Sequence, residues 1–343
     1  MAPPNPLLDL PGMAQLRERI TERLLAAVET SDPQLTAMTS HLVMAGGKRL
    51  RPIICVVTWL ACQGRDDGAA AALDRVSDEA VSGGVAVEMV HVGSLHHDDV
   101  IDEAITRHNV ESVNARWGNL RAIISGDFLL ARASELAAGL GTDVARLLAR
   151  TIADLCEGEV RELHFAYQVT RTEPDYYAAI KGKTGALYAA ACRIGGMVAR
   201  APADQVEALA TFGQLYGMAF QVVDDVLDVV STDVELGKPV GHDIAEGVYT
   251  LPVLRALGSP DVGAELRSLL GGPLDADTRA RALHLVRRSD GVAQAVAVAE
   301  GFADEAVAVL DAVPPGPAVD ALAGAVRHLV AGVAPAGAPS VSA

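Results

Sequence analysis

Two clusters of carboxylates stand out in a chain of 343 residues. Asp98-Asp99-Val100-Ile101-Asp102 and Asp224-Asp225-Val226-Leu227-Asp228 both read DDxxD. On a helix, residues i and i+4 share a face one turn apart, so Asp98 aligns with Asp102 and Asp224 with Asp228. Like charges at that spacing repel one another. Both clusters are also embedded in apolar sequence, LHHDDVID and FQVVDDVLDVV, where an uncompensated carboxylate is costly. A counter-charge is therefore expected. Mg²⁺ suits the donors, because it takes oxygen ligands and is commonly held by one or two carboxylates plus substrate phosphates. A solvated acidic helix face would account for either cluster alone, and a single DDxxD is a weak signal; two are harder to assign to chance.

The chain also places cations where such a site would need them. Gly46-Gly47-Lys48-Arg49-Leu50-Arg51-Pro52 sets three cations in four positions. The glycines permit close backbone approach and a helix is expected to begin just after them, a good diphosphate cradle. Read plainly, it is a basic helix start. Lys181-Gly182-Lys183-Thr184-Gly185 is a second such spot, equally readable as helix-surface lysines, and Leu236-Gly237-Lys238-Pro239 is a third. Arg107 follows the first Asp motif. The formal net charge is −16 with a pI near 4.9. So acidic a chain repels nucleic acid, and local positive charge gains weight. Together these groups describe two diphosphates bridged by Mg²⁺.

The elements that must position these residues read as helices. Half of the residues are hydrophobic and only 4% aromatic, with Ala, Val and Leu dominant, which suits close-packed helices. Leu16, Ile20, Leu24, Leu25 and Val28 recur at helical spacing between Met13 and Glu29,. Further helices are expected at 48–61, 79–105, 119–139, 142–168, 173–199, 202–230, 244–257, 275–288, 290–312 and 317–331. The run Thr172-Glu173-Pro174-Asp175 looks like a helix start. The stretch Gly64 to Asp78 reads as a variable connection, and no strand-like alternation is seen. The expected architecture is all-α, one domain over 13–332, with a loose segment at 1–12 and a disordered tail at 333–343. Cys55, Cys62, Cys156 and Cys192 form no CxxC pair and read as reduced core cysteines. No secretory leader is visible and no run reaches the roughly 20 apolar residues of a membrane span. A cytoplasmic protein is expected.

The stretches AGGKRLRP, EMVHVGSLHHDDVIDEA, NARWGNLRAIISGDFLLARA, KGKTGAL and AFQVVDDVLDVVSTDVELGKPVGHDIAEGVYTLPVL resemble, in order and spacing, the trans-isoprenyl diphosphate synthases, or polyprenyl synthetases. The resemblance covers about 41–255. It implies a single-domain bundle of long helices around a deep central cavity, usually a homodimer, joining an allylic diphosphate to isopentenyl diphosphate. It implies that Asp98, Asp102 and Asp224 ligate Mg²⁺, with Asp99, Asp225 and Asp228 in support. Lys48, Arg51 and His91 match residues that hold isopentenyl diphosphate. Arg107, Lys183, Thr184, Gln221 and Lys238 match those around the allylic diphosphate.

The chain departs from the family pattern in two places. Two arginines and a glycine usually follow the first motif; here Arg107-His108-Asn109 stands. The second arginine normally helps grip isopentenyl diphosphate, and His108 is shorter and only partly charged near neutral pH. His96 occupies a position that is commonly apolar, and reads as a packed helix residue. Gly93 and Ser94, one turn before Asp98, are expected to face the cavity floor, where farnesyl-length relatives carry a bulky aromatic. Their small size, with a modest Val90 beyond, implies a product of C20 or longer. Two other readings stay open at this stage: a terpene cyclase acting on a prenyl diphosphate, and a non-catalytic subunit of a two-component synthase.

Overall fold

The computed structural model describes residues 5–63, 76–231 and 240–333. It is 76% helical. The first helix shows why: α1 (Met13–Val28) buries Met13, Leu16, Ile20, Leu24 and Val28, one stripe at three- and four-residue spacing,. Leu25 stands off that stripe and is partly exposed. A helix absent from the sequence reading follows, α2 (Pro33–Met44). Asp32 caps it by accepting from the Gln34 and Leu35 amides, with proline at the first helical position,.

α3 (Leu50–Ala61) and α4 (Asp78–Ile101) are buried over most of their circumference. Such near-complete burial marks central helices. α4 was expected to run on to Ile105, but it stops at Asp102. Glu103 takes a left-handed φ of 49° and the Ala104 amide bonds back to the Asp99 carbonyl at 2.9 Å, a Schellman stop. A two-residue hairpin succeeds it, β1 (Thr106–Arg107) against β2 (Val110–Glu111), antiparallel, with Arg107 opposite Val110.

Beyond the short α5 (Val113–Trp117) come α6 (Asn119–Gly139), α7 (Thr142–His164) and α8 (Glu173–Ile180). Thr172 and Asp175 form the capping box that starts α8,. The expected helix 173–199 is not continuous: Lys181–Gly185 forms one π turn before α9 (Ala186–Val198). α10 (Ala203–Val230) is the longest helix, and α11 (His242–Ala245) and α12 (Leu251–Leu257) divide what was read as one helix. α13 (Gly263–Leu269), absent from the sequence reading, α14 (Ala276–Arg288), α15 (Gly291–Val309) and α16 (Pro317–Ala331) complete the order.

α9 sits at the middle, packed on α3 and α4 on one side and on α10 on the other. α6 covers α4, α15 covers α10, and α7 lies along the π turn. The two Asp motifs are thus carried on helices that flank α9. The segment 5–12 is less loose than expected, since Leu7 is fully buried in the core. Val333, placed in the expected tail, is buried too. The connection read at Gly64 to Asp78 lies largely outside the described residues, as does the rest of the tail. Cys55 and Cys192 are core residues, but Cys156 is exposed on α7. Burial raises the Cys55 thiol to about 12. Among the described residues, no helix is long and apolar enough to cross a membrane.

Candidate active site

The last turn of α4 carries the first Asp motif. The Asp102 amide closes that turn on the Asp98 carbonyl at 2.8 Å. Burial pushes the Asp98 carboxyl up to about 7, against the pull of Lys183, and Glu159 and Asp102 add to the rise. Asp102 is exposed, whereas Asp99 is fully buried. Arg107 Nε and Nη2 both reach Asp99 Oδ1, each at 2.7 Å. Asp99 therefore holds an arginine instead of facing the same space as Asp98. A step of one residue turns a helix by about 100°, which is what separates the two.

The hairpin presents the departure from the family pattern. Its loop is His108-Asn109, with φ of 51° and 63°, the left-handed pair of a two-residue type I′ turn. Histidine and asparagine are among the side chains most tolerant of that region. Just past the hairpin, Asn114 Nδ2 on α5 donates to the carbonyls of Asp99 (2.9 Å) and Ala104 (3.1 Å), tying α5 to the end of α4 and the link that follows it. His108 reaches solvent, yet it is held below the ordinary range by partial burial and by Arg107 and Arg49, with Glu88 and Asp99 opposing.

His91, two turns before Asp98, is held well below the ordinary range by burial and by Arg51, His108, Arg107 and Arg49. Positive charge from α3 and the hairpin is thus felt at His91 on α4. Arg51 Cζ lies 4.6 Å from the Tyr188 ring centre on α9, a cation–π contact that orients the guanidinium. Lys48 is exposed. Arg49, between them, is turned inward: with φ of 51° it caps α3 and is buried. It donates to Glu88 Oε1 at 3.0 Å and to the Val43 carbonyl. The cradle's three cations thus divide: Lys48 is exposed, Arg51 lies against Tyr188, and Arg49 is a buried anchor. Glu88 was missed in the sequence, although a lone charge in the run VSGGVAVEMV announces a buried pair,.

The π turn seats Lys183 and Thr184. Lys183 Nζ lies 2.8 Å from Glu159 Oε2 and 2.6 Å from Glu162 Oε1 on α7. Burial alone would lower its affinity for the proton, but Glu162 and Glu159 outweigh it and hold Lys183 well above its ordinary value. Neither glutamate was singled out in the sequence; their i, i+3 spacing on α7 was the available signal. The turn sits close enough to make these contacts because two glycines face one another. A Cβ on Gly158 would stand 2.5 Å from the Lys183 amide nitrogen, and one on Gly182 2.7 Å from the Asp154 carbonyl. We expect Gly158→Ala to force α7 and the π turn apart. It should cost about 1–3 kcal/mol and lower turnover more than it lowers the urea midpoint; unchanged kinetics would refute the role of this contact.

Thr184 is buried and its Oγ1 donates to Gln221 Oε1 at 2.7 Å. Gln221 Nε2 in turn donates to Asp225 Oδ1 at 2.9 Å. Burial pushes Asp225 up to about 7, and the Tyr176 hydroxyl donates to its other oxygen at 2.5 Å. In the second motif, Asp224 is exposed and Asp225 and Asp228 are buried. Asp228 Oδ2 accepts from the Asp243 amide at 3.2 Å, and the Asp228 carbonyl from the Gly241 amide at 2.9 Å, tying the end of α10 to α11. Lys238 lies outside the described residues.

His96 is a packed residue, as expected. It is fully buried, its Nδ1 lies 2.9 Å from Ser125 Oγ, and burial holds it down to about 3. Gly93 differs from expectation. A Cβ there would stand 3.1 Å from the Gly126 carbonyl and 3.3 Å from Leu129 and Leu130. Its small size serves the crossing of α4 with α6, so it says nothing of cavity depth. Ser94 is half-buried, with Oγ on the His91 carbonyl.

The family model described as polyprenyl synthetase matches residues 32–286. The chain belongs to the polyprenyl synthetase family. It is 41% identical over 322 residues to a nonaprenyl diphosphate synthase of Mycobacterium tuberculosis, covering 93% of this chain and 92% of that one. It is 36% identical to heptaprenyl diphosphate synthase component 2 of Geobacillus stearothermophilus, covering 86% and 89%. Among solved structures, a polyprenyl synthase of Caulobacter crescentus, complexed with calcium and isoprenyl diphosphate, superposes with a TM-score of 0.85 at 30% identity, covering 95% and 96%. This polyprenyl synthetase is accordingly a prenyltransferase of the prenyl diphosphate synthase class, and neither the cyclase nor the non-catalytic reading is favoured.

Proposed function

We propose that this enzyme condenses an allylic diphosphate with isopentenyl diphosphate head-to-tail, with Mg²⁺, to a product of C20 or longer. The observation that carries the site assignment is Lys183, held beside the raised, half-buried Asp98 carboxyl. A buried carboxyl beside further carboxylates calls for added positive charge, so the residues fit a divalent cation with oxygen ligands. Asp98, Asp102 and Asp224 would hold it. Asp99, Asp225 and Asp228 are occupied by protein donors and support those three from behind. When bound, the metal neutralises charge on the leaving diphosphate.

On this reading Lys183, Thr184, Gln221, Arg107 and Lys238 bind and orient the allylic diphosphate, and the ammonium stabilises the charge that builds as its C–O bond ionises. Lys48, Arg51, His91 and His108 hold isopentenyl diphosphate, whose double bond attacks the allylic cation. The proton then lost goes to the departing pyrophosphate. Apolar helix faces exclude water that would quench the cation. The relatives named for heptaprenyl and nonaprenyl products support a long product. Exposed Leu120, Ile123 and Ile124 on one side of α6 support a homodimer, and we place the enzyme in the cytoplasm.

The reading is tested by incubating the purified protein with Mg²⁺ and labelled isopentenyl diphosphate, paired in turn with C5, C10, C15 and C20 allylic diphosphates. Diphosphates of C20 or longer that need both substrates are expected. Hydrocarbon or alcohol from an allylic substrate alone, without phosphatase, would replace the reading with a cyclase. His108→Arg should lower the Michaelis constant for isopentenyl diphosphate by roughly tenfold, the worth of about 1.4 kcal/mol for one charge-assisted hydrogen bond. A constant that stays put or rises removes His108 from that substrate.

A further inference from the structure

Tyr176 lies on α8, outside every motif of the sequence, and is 1% exposed. Its hydroxyl meets Asp225 Oδ2 at 2.5 Å, across 49 residues of chain. Asp225 is itself 2% exposed and, among the described residues, also accepts from Gln221 Nε2 at 2.9 Å. Gln221 presents its remaining amide oxygen to Thr184 Oγ1 at 2.7 Å. The relay therefore runs from Tyr176 through Asp225 and Gln221 to Thr184, joining α8, α10 and the π turn.

In the structure the Gln221 NH₂ donates to Asp225 and the Gln221 carbonyl accepts from the Thr184 hydroxyl,. With the tyrosine hydroxyl removed, a buried carboxylate oxygen loses its donor. Asp225 would then turn to recover one, and Gln221 would turn with it. Asp224, the exposed carboxylate of the motif, is the adjacent residue on the same turn. Behind the ring stands Arg171, 5% exposed, with Cζ 5.6 Å from the Tyr176 ring centre and Nη1 on the Tyr249 carbonyl.

We propose that Tyr176 is a positioning residue for the allylic-diphosphate half of the site, acting through Asp225 on Gln221, Thr184 and Asp224. The proposal rests on the substrate assignment above. It predicts a division that a merely structural tyrosine would not produce. Loss of the hydroxyl weakens the allylic side and leaves the isopentenyl side, built on α3, α4 and the hairpin, as it was.

The experiment compares wild type with Tyr176→Phe by three readouts. These are Michaelis constants for each substrate, calorimetric binding of inorganic pyrophosphate with Mg²⁺, and the thermal midpoint. We expect the allylic constant to rise by about tenfold, pyrophosphate binding to weaken in parallel, and the isopentenyl constant to stay within about twofold. Asp225→Asn, which preserves side-chain shape, should show the same division and serves if Tyr176→Phe does not fold. Equal loss on both substrates, or unchanged allylic and pyrophosphate affinity, overturns the proposal. Wild-type protein that binds pyrophosphate but joins no substrates would instead overturn the substrate assignment, and the pyrophosphate comparison would still decide the role of Tyr176.

Discussion

Lys183→Met is expected to lower kcat/KM for the allylic diphosphate by on the order of 10²–10³, the range for removing one preorganised charge donor at a reacting centre. The argument is geometric and electrostatic. The ammonium sits between Glu159 and Glu162 at 2.8 and 2.6 Å and opposes the rise of the Asp98 carboxyl. Its removal leaves carboxylates on α4 and α7 facing one another with less to offset them. The leaving diphosphate then enters a more negative site, and the barrier to ionisation rises. Isopentenyl diphosphate should be bound nearly as before, because the cations proposed for it, Lys48 and Arg51, lie at the start of α3 and not on the π turn. Single-turnover kinetics with each substrate varied in turn would check this. A Lys183→Met enzyme with wild-type single-turnover rates would remove the lysine from the chemistry.

Glu88→Leu is expected to destabilise the fold by about 3–5 kcal/mol, the usual cost of removing one partner from a buried ion pair. Arg49 and Glu88 side chains are 6% and 5% exposed, so solvent cannot take over when the carboxylate is lost. Arg49 would keep the Val43 carbonyl alone. The effect should reach function, because Arg49 caps the helix whose first turn carries Arg51. We expect the urea midpoint to fall and the Michaelis constant for isopentenyl diphosphate to rise. Replacing both partners, Arg49→Met with Glu88→Leu, should recover most of the stability, since two apolar side chains leave no uncompensated charge. A double variant as unstable as Glu88→Leu would mean that the pair itself, and not the orphaned arginine, supports the cradle.

Much of this protein was legible in one dimension because its signals are local. Helical periodicity placed α1, α6, α10, α14 and α16 to within a residue or two. The Thr172 capping box was visible as a string, and both DDxxD motifs and the three Gly-Lys clusters needed only spacing to be noticed. Even α2 had its signal in Asp32-Pro33, overlooked for lack of a strong apolar stripe. What the residues of each motif do was less legible. That Asp99 and Asp225 turn away from the site follows from 100° of rotation, but only if the packed side of each helix is already known.

The remainder was decided by contacts between distant segments. Arg49 meets Glu88 across 39 residues and Tyr176 meets Asp225 across 49, and no local pattern encodes either partner. The π turn at Lys181–Gly185 replaces ordinary helix where Gly182 packs against the backbone of α7. Gly93, small on paper for the sake of a cavity, is small for the sake of α6. Sequence by itself determined the fold class and the family and marked the kinds of group in the candidate site, because these depend on residue type and periodicity. Tertiary structure alone decided which charges are spent on one another and which remain to meet a substrate, because that depends on which buried groups find a partner.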